Sequence, residues 1–366
     1  MFSKVFASLE IDLFLEKMNR TTESEVASRL TKSGWQFDDF IALISPAAQA
    51  YLEPMAQKSH QQTIQRFGRT IQSFMPLYIS NECYNKCTYC SFSLEHKFKR
   101  VTLTDEQILR EGKLLRDKGI QHLLILTGEA PQKVNSDHIG KAVELLKPLF
   151  PSIGIEVQPL KQFEYEKLIS QGADSLTIYQ ETYHKETYER VHVSGKKRLF
   201  NHRLDTPDVG GKAGFYRLNI GSLLGLYDWR YEAICLAIHL QYLQSRYWQT
   251  KYSISFPRIR ETIGDFSAPY AVSDKDIVQF IAAFRLLFPD IGITLSTREE
   301  AGFRDNLIPL GITAMSAESD TSPGGYSGGQ EVEQFKISDV RTVSSLKATI
   351  ESKGYEYVAK DWDRGF

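Results

Sequence analysis

Cysteine is scarce in this chain, with four among 366 residues. Cys83, Cys87 and Cys90 fall within eight positions, and Cys235 is remote. A secreted scaffold stapled by disulfides uses more cysteines in even, dispersed sets, so the triplet reads as a metal or redox site of a cytosolic protein. Net charge is nearly absent too, at 44 Lys+Arg against 45 Asp+Glu. That removes whole-chain attraction to a phosphate backbone and argues against a nucleic-acid partner. No apolar run reaches the length of a membrane span. The opening MFSKVFASLEIDLFLEK interrupts its apolar part with Glu10, Asp12 and Glu16, unlike a secretory signal. Internal repeats are missing as well. These absences leave a soluble, cytoplasmic globular protein as the expectation.

What is present is alternation. Eight β-rich runs occur: 74–80, 123–127, 154–158, 175–180, 216–222, 252–256, 292–297 and 311–317. Helical patterns lie between them. Thr104 to Gln107 forms a capping box opening a helix to about Asp117, and Ser273 caps a helix ending near Phe288. Eight strands separated by helices predict a (β/α)8 TIM-type barrel over residues 71–320, with a doubly wound open sheet as the competing architecture. Residues 1–70 read as an N-terminal helical extension. In it Ser45-Pro46 starts a helix that Pro54 is expected to kink. Residues 321–366 read as a C-terminal loop and tail. The glycine-rich stretch 322–329 lacks the Lys-Ser/Thr ending of a phosphate loop.

The segment Cys83-Tyr-Asn-Lys-Cys87-Thr-Tyr-Cys90 directly follows the first barrel strand. Three thiolates there suit three irons of a [4Fe–4S] cluster and leave the fourth iron free to hold an exchangeable ligand. A structural zinc site is the alternative, but it needs four ligands. No second cysteine pair exists to complete it, which leaves only His96 to be considered. Farther along, Leu126-Thr-Gly-Glu129 ends the second strand, with Gly128 permitting close backbone approach and Glu129 suited to an ammonium partner.

These two motifs, in this order on a βα barrel, resemble the radical S-adenosylmethionine enzymes. The strand-end segments Glu156-Val-Gln-Pro159, Tyr179 to His184, Ser255 to Arg258, Ser296 to Glu299 and Met315 to Ser319 resemble the aromatic-amino-acid lyase branch. The likeness runs from about residue 43 to Lys360-Asp-Trp-Asp363. It implies a tyrosine lyase of thiamin thiazole synthesis, with a [4Fe–4S] cluster on Cys83, Cys87 and Cys90 and with S-adenosyl-L-methionine as cofactor. L-Tyrosine would be the substrate, thiazole synthase a partner, and a flavodoxin or ferredoxin the reductant. A hydrogenase-maturation tyrosine lyase fits less well, since that relative carries further cysteines in a C-terminal domain and none follows Cys235 here. A deazaflavin-cofactor synthase and a non-catalytic iron–sulfur protein are the remaining alternatives.

Site roles follow from residue chemistry and from the resemblance together. Arg298 is the candidate for the substrate carboxylate, because a guanidinium fork holds a carboxylate bidentately. Ser316 is a candidate for the substrate amine, with local backbone bonding as its competing role. Gly128 and Glu129 are assigned to the cofactor's amino group, and Gln158 and Glu181 to cofactor ribose or substrate. Tyr89 and Tyr179 are candidates to pack against adenine or the substrate ring, with plain packing as the alternative for both. His184 and His192 fall on an expected surface helix, with proton transfer as the alternative role, and Cys235 falls in the core. Two departures from the family pattern stand out. Ser91 replaces a glycine, and Val209 occupies the place of an arginine that helps hold the cofactor carboxylate, with Arg203 and Lys212 as candidate substitutes.

Overall fold

The computed structural model describes residues 1–264 and 266–359, so the final expected motif, 360–363, lies outside the described residues. Eight parallel strands form the barrel: β1 (Thr70–Ser80), β3 (His122–Thr127), β4 (Ser152–Glu156), β5 (Ser175–Glu181), β7 (Arg217–Ser222), β8 (Lys251–Ser255), β9 (Gly292–Leu295) and β10 (Ala314–Ser316). Pairing of Gln72, Ser73 and Phe74 with Ala314, Met315 and Ser316 closes β10 onto β1. That closure decides for the barrel over the open sheet. Two short strands, β2 (Lys86–Cys87) and β6 (His192–Ser194), pair antiparallel outside it, and β11 (Glu356–Val358) adds to the start of β1.

The helices between strands begin where their capping side chains dictate. Thr104 and Gln107 close a reciprocal box ahead of Asp105–Asp117, and Ser273 and Asp276 do so ahead of Asp274–Leu287. Burial of their apolar faces against the strands forms one continuous core, in which Cys235 is fully buried. In the N-terminal segment the expected kink at Pro54 is absent. A 3-10 turn, Pro46–Tyr51, ends there and the helix Leu52–Phe67 begins, which puts Pro54 in a first turn where no amide donor is missed.

The N-terminal helices are docked rather than loose. Phe2 is fully buried and stacks on His239 at 3.9 Å, and its amide donates to Asp208 Oδ2 at 2.8 Å. The amide of Ser3 donates to Asp205 Oδ1 at 2.7 Å. Asp205 is the N-cap of the helix Thr206–Ala213 and Asp208 lies in its first turn, next to Val209.

Candidate active site

Every polar cluster named above lies at the C-terminal ends of the barrel strands, where βα barrels build their sites. The cysteine loop leaves β1 and is clamped by Arg100. Its guanidinium donates to the carbonyl oxygens of Asn81 (2.8 Å), Phe92 (2.7 Å) and Ser93 (2.7 Å). Gly128 meets this loop so closely that an added Cβ would stand 2.2 Å from Glu82 O and 3.1 Å from Cys83 Cβ. Ser91 avoids the left-handed region, so the glycine it replaces is not required; its hydroxyl accepts from Ile263 N at 3.0 Å.

Whether these residues fit an iron–sulfur cluster is tested by the donor set. Cys83 and Cys87 are buried and Cys90 is half-buried; burial and its neighbour Cys83 push the Cys90 thiol up to about 11. Three such thiols ionise together only when a cationic group sits among them, as metal ligation provides. Among the described residues no three His, Cys, Asp or Glu side chains converge on one point as a single bound ion would require. Separate irons of a cluster do not need such convergence.

Beside the loop stands an ion network. Glu129 accepts from Asn85 Nδ2 at 2.7 Å on one oxygen and from Arg203 at 2.8 Å on the other. Arg203 also donates to Tyr179 O at 2.6 Å and to Glu181 Oε1 at 3.4 Å. Lys197 reaches the same Glu181 oxygen at 2.8 Å. Burial raises the Glu181 carboxyl, but Lys197 and Arg203 outweigh it and hold the group below the usual carboxylate range. Glu181 adopts φ 69° at an irregularity in the β5–β7 pairing, a strained conformation that aims its carboxylate at these cations. Lys212 is outside this network; its ammonium lies 4.0 Å from Met1 Sδ. Of the two candidate substitutes for the arginine missing at Val209, Arg203 is therefore the one at the site.

Tyr89 donates to His192 Nε2 at 2.7 Å. The direction follows because His192 Nδ1 faces the Tyr188 carbonyl at 2.8 Å and must carry the proton. His192 is fully buried and begins β6, while His184 is the N-cap of Lys185–Val191. The expectation that both lie on a surface helix is corrected: the helix ends between them, and pairing with Cys87 carries His192 inward. Gln158 donates to Val134 O at 2.7 Å, and its Oε1 is buried without a hydrogen-bond partner among the described residues.

Next to the network, a cavity runs into the barrel between Tyr78, Leu126, Glu156, Tyr179, Ser255, Arg298, Ser316 and Phe335. Arg258 binds Glu299 in a fork and spends both charges on structure. Arg298 differs. Its guanidinium lies 3.5 Å over the Phe335 ring and has no hydrogen-bonding or ionic partner among the described residues. Glu156 likewise lines the cavity without a bonded partner among them; burial and the charge of Glu181 push its carboxyl up to about 7. Ser316 Oγ accepts from Thr297 N at 3.0 Å, so its hydroxyl already holds the loop that presents Arg298.

The cavity is roofed by the C-terminal segment. Gln334 accepts from Tyr78 OH at 2.7 Å, its side-chain amide lies 3.9 Å from Cys90 Sγ, and its carbonyl accepts from Ser91 N at 3.2 Å. In the glycine-rich stretch, Tyr326 OH donates to Pro76 O at 2.8 Å, a structural tie. Glu156, Asn85, Lys197 and Gln334 are thus site residues that sequence reasoning missed. Only Glu156 carried a signal, its position at a strand end.

A closed parallel barrel with a three-cysteine loop after its first strand defines a radical S-adenosylmethionine enzyme. Residues 77–235 match the Radical SAM superfamily and residues 255–356 the Biotin and Thiamin Synthesis associated domain. The 2-iminoacetate synthase of Escherichia coli K12 is 44% identical over 99% of this chain and 97% of its own length; that of Salmonella typhimurium LT2 is 43% identical over the same shares. The chain belongs to the 2-iminoacetate synthase family of radical SAM carbon–carbon lyases, and its cofactors are a [4Fe–4S] cluster and S-adenosylmethionine. Among solved structures, HydG, a maturase of the [FeFe]-hydrogenase, superposes with a TM-score of 0.90 at 30% identity, covering 94% of this chain and 78% of HydG. Methylornithine synthase shares the fold, with a TM-score of 0.72 at 19% identity over 91% of this chain and 97% of that one. No helix among the described residues is long and apolar enough to cross a membrane.

Proposed function

We propose that this protein cleaves the Cα–Cβ bond of L-tyrosine to 2-iminoacetate and p-cresol, for the thiazole moiety of thiamin. The observation that carries the reading is the pair of uncommitted groups in one cavity: the Arg298 guanidinium and the Glu156 carboxyl. A zwitterionic amino acid supplies the complement to both. Bound together, the cluster and S-adenosylmethionine would supply a 5′-deoxyadenosyl radical.

The chain's own residues do the rest by binding, orienting and moving a proton. Cys83, Cys87 and Cys90 would hold the cluster. Glu129 retains lone pairs for the cofactor ammonium although both its oxygens already accept. Arg203 suits the cofactor carboxylate, Glu181 and Gln158 its ribose hydroxyls, and Tyr89, locked by His192, a wall for its adenine. Arg298 takes the substrate carboxylate, and Phe335 keeps the guanidinium plane in place. Glu156 accepts one proton from the substrate ammonium: an N–H bond breaks, a carboxyl O–H forms, and the amine becomes neutral. Tyr78 and Tyr179, whose phenols burial holds well above their ordinary range, enclose the ring as neutral groups. Ser316 acts by positioning the Arg298 loop. Enclosure keeps water from a reactive intermediate.

The product imine is prone to hydrolysis, which favours direct transfer to thiazole synthase, and an external one-electron donor of the flavodoxin or ferredoxin kind is needed. The test is anaerobic incubation of reconstituted protein with tyrosine, S-adenosylmethionine and reductant, measuring p-cresol and 5′-deoxyadenosine together. The reading expects both in step. 5′-Deoxyadenosine without p-cresol would overturn the substrate assignment and leave the class intact.

A further inference from the structure

The cluster loop reaches the protein surface through one thin layer of chain. Cys87 pairs with His192 and Lys86 with Ser194 in the β2–β6 ribbon. Beyond the ribbon, Gly195 presses on Asn85, where an added Cβ would stand 2.1 Å from Asn85 Oδ1. The Lys197 amide donates to that same oxygen at 3.1 Å, and the Leu94 amide to Asn85 O at 2.9 Å. Segments around residues 85, 94 and 195 are therefore joined to one another and to β2, which carries Cys87.

Charge on this patch is one-sided. Segment 85–100 holds four Lys/Arg against a single acid, Glu95, and segment 190–198 holds four against none, in a chain of net charge −1. Two of these cations turn inward, Lys197 to Glu181 and Arg100 to the loop carbonyls, and two more are met by acids at the surface, Lys86 by Glu95 and Lys99 by Glu331. Lys196 and Arg198, on either side of Lys197, point outward, exposed and without an anionic partner among the described residues. Exposed apolar side chains are interspersed: Leu94 (49%), Val193 (46%) and Leu199 (56%). A positive rim around small apolar contacts is the surface to which an acidic protein is steered and then docked.

We propose that this patch, centred on Lys196 and Arg198, is the docking surface for an acidic one-electron donor protein that reduces the cluster. The inference rests on the cluster assignment of Cys83, Cys87 and Cys90. Electron transfer falls off steeply with distance, and this face covers the ribbon in which Cys87 pairs with His192. The one electron given up by the donor is the one taken by the cluster, and no bond is made or broken.

The probe is chemically reduced flavodoxin, mixed anaerobically with reconstituted protein while cluster bleaching is followed by stopped-flow absorbance. Flavodoxin binding is measured separately by calorimetry. Lys196→Glu/Arg198→Glu is expected to bind flavodoxin at least tenfold more weakly and to be reduced about tenfold or more slowly at low salt. The wild-type rate is expected to fall with ionic strength and the variant's rate to stay flat. Dithionite, a small donor that needs no docking face, is expected to reduce both proteins alike. Equal flavodoxin affinity and rate in wild type and variant would overturn the proposal, as would a wild-type rate indifferent to salt. Because the readouts are binding and bleaching, they stand even if tyrosine is not the substrate. Absence of any cluster in wild type would instead overturn the reading on which the patch depends.

Discussion

Arg203 donates at 2.8 Å to Glu129, joining the helix that follows β6 to the end of β3 across 74 residues of sequence. The bond places a guanidinium where Val209 supplies none, and it leaves neither carboxylate in the network without a cation. Replacing Arg203 by alanine strands Glu129 and weakens the hold on Glu181, both buried to about nine-tenths at the side chain. Loss of one partner of a buried pair costs roughly 3–5 kcal/mol. Arg203→Ala should therefore melt well below wild type and lose S-adenosylmethionine binding in equilibrium dialysis, with Arg203→Lys intermediate in both. Lys212→Ala, altered outside the network, should match wild type. Equal defects in the two alanine variants would contradict the assignment.

Arg298 predicts a defect of a different kind. Its guanidinium makes no structural hydrogen bond among the described residues, so Arg298→Gln should retain wild-type stability and cluster content. Hydrogen bonds between charged groups contribute about 1.5–3 kcal/mol, so kcat/KM for tyrosine should fall roughly 10- to 100-fold, mostly in KM. Steady-state p-cresol kinetics at saturating S-adenosylmethionine provide the check. A large loss of folded protein would assign Arg298 to structure instead.

The contrast between these arginines shows what was legible in the sequence. The eight strands and their order were readable because alternation and capping are local, and the strand ends exposed Arg298 as a candidate. Arg203 and Lys212 could not be separated there, being nine residues apart on either side of Val209. Packing decides between them, since Arg203 is turned under the barrel mouth and Lys212 toward Met1. Glu156 looked like any strand-end glutamate, for its shifted acidity arises from burial among residues brought in by other strands. Gln334 stands 244 residues from Cys90, a separation that no local pattern spans.

Glu156 carries a pH signature. With its carboxyl near 7, the proton-accepting carboxylate becomes the major form only above that pH, so kcat/KM should rise through about pH 7 and then level. Glu156→Gln should be slow throughout and lack this rise. Stability has the opposite sign. The folded-state pKa lies above the unfolded carboxyl value, so the buried acid favours the fold below about 4.5 and that contribution is lost as pH climbs through about 7. The glutamine variant should therefore gain more Tm relative to wild type at pH 8 than at pH 5. A rate profile unchanged by the substitution would remove Glu156 from proton transfer.

Gly128 is required by space rather than by backbone conformation. An alanine methyl there would overlap Glu82 O and press on Cys83 Cβ, pushing apart β3 and the cysteine loop. Overpacking of this kind costs about 1–3 kcal/mol. Gly128→Ala should fold, yet hold less iron per chain after reconstitution and lose it faster to a chelator. Full iron occupancy with unaltered chelation kinetics would show that the loop yields without consequence.

Gln334 offers its side-chain amide to Cys90 Sγ while its carbonyl takes the Tyr78 hydroxyl. Reduction adds negative charge to the cluster and its sulfurs, and an amide donor stabilises that charge more in the reduced than in the oxidised form. Removing the donor should therefore lower the reduction potential. In Gln334→Leu the side chain still fills the roof of the cavity but donates nothing to the sulfur, and Tyr78 loses its acceptor. The expected result is a more negative midpoint in an anaerobic redox titration, with Cys90 still bound and iron content unchanged. Gln334→Glu, whose carboxylate accepts but does not donate, should shift the midpoint further the same way, because a negative group would then face the thiolate. A midpoint equal to wild type in both variants would mean that the contact with Cys90 does not tune the cluster, leaving Gln334 only the task of tying the C-terminal segment over the substrate cavity.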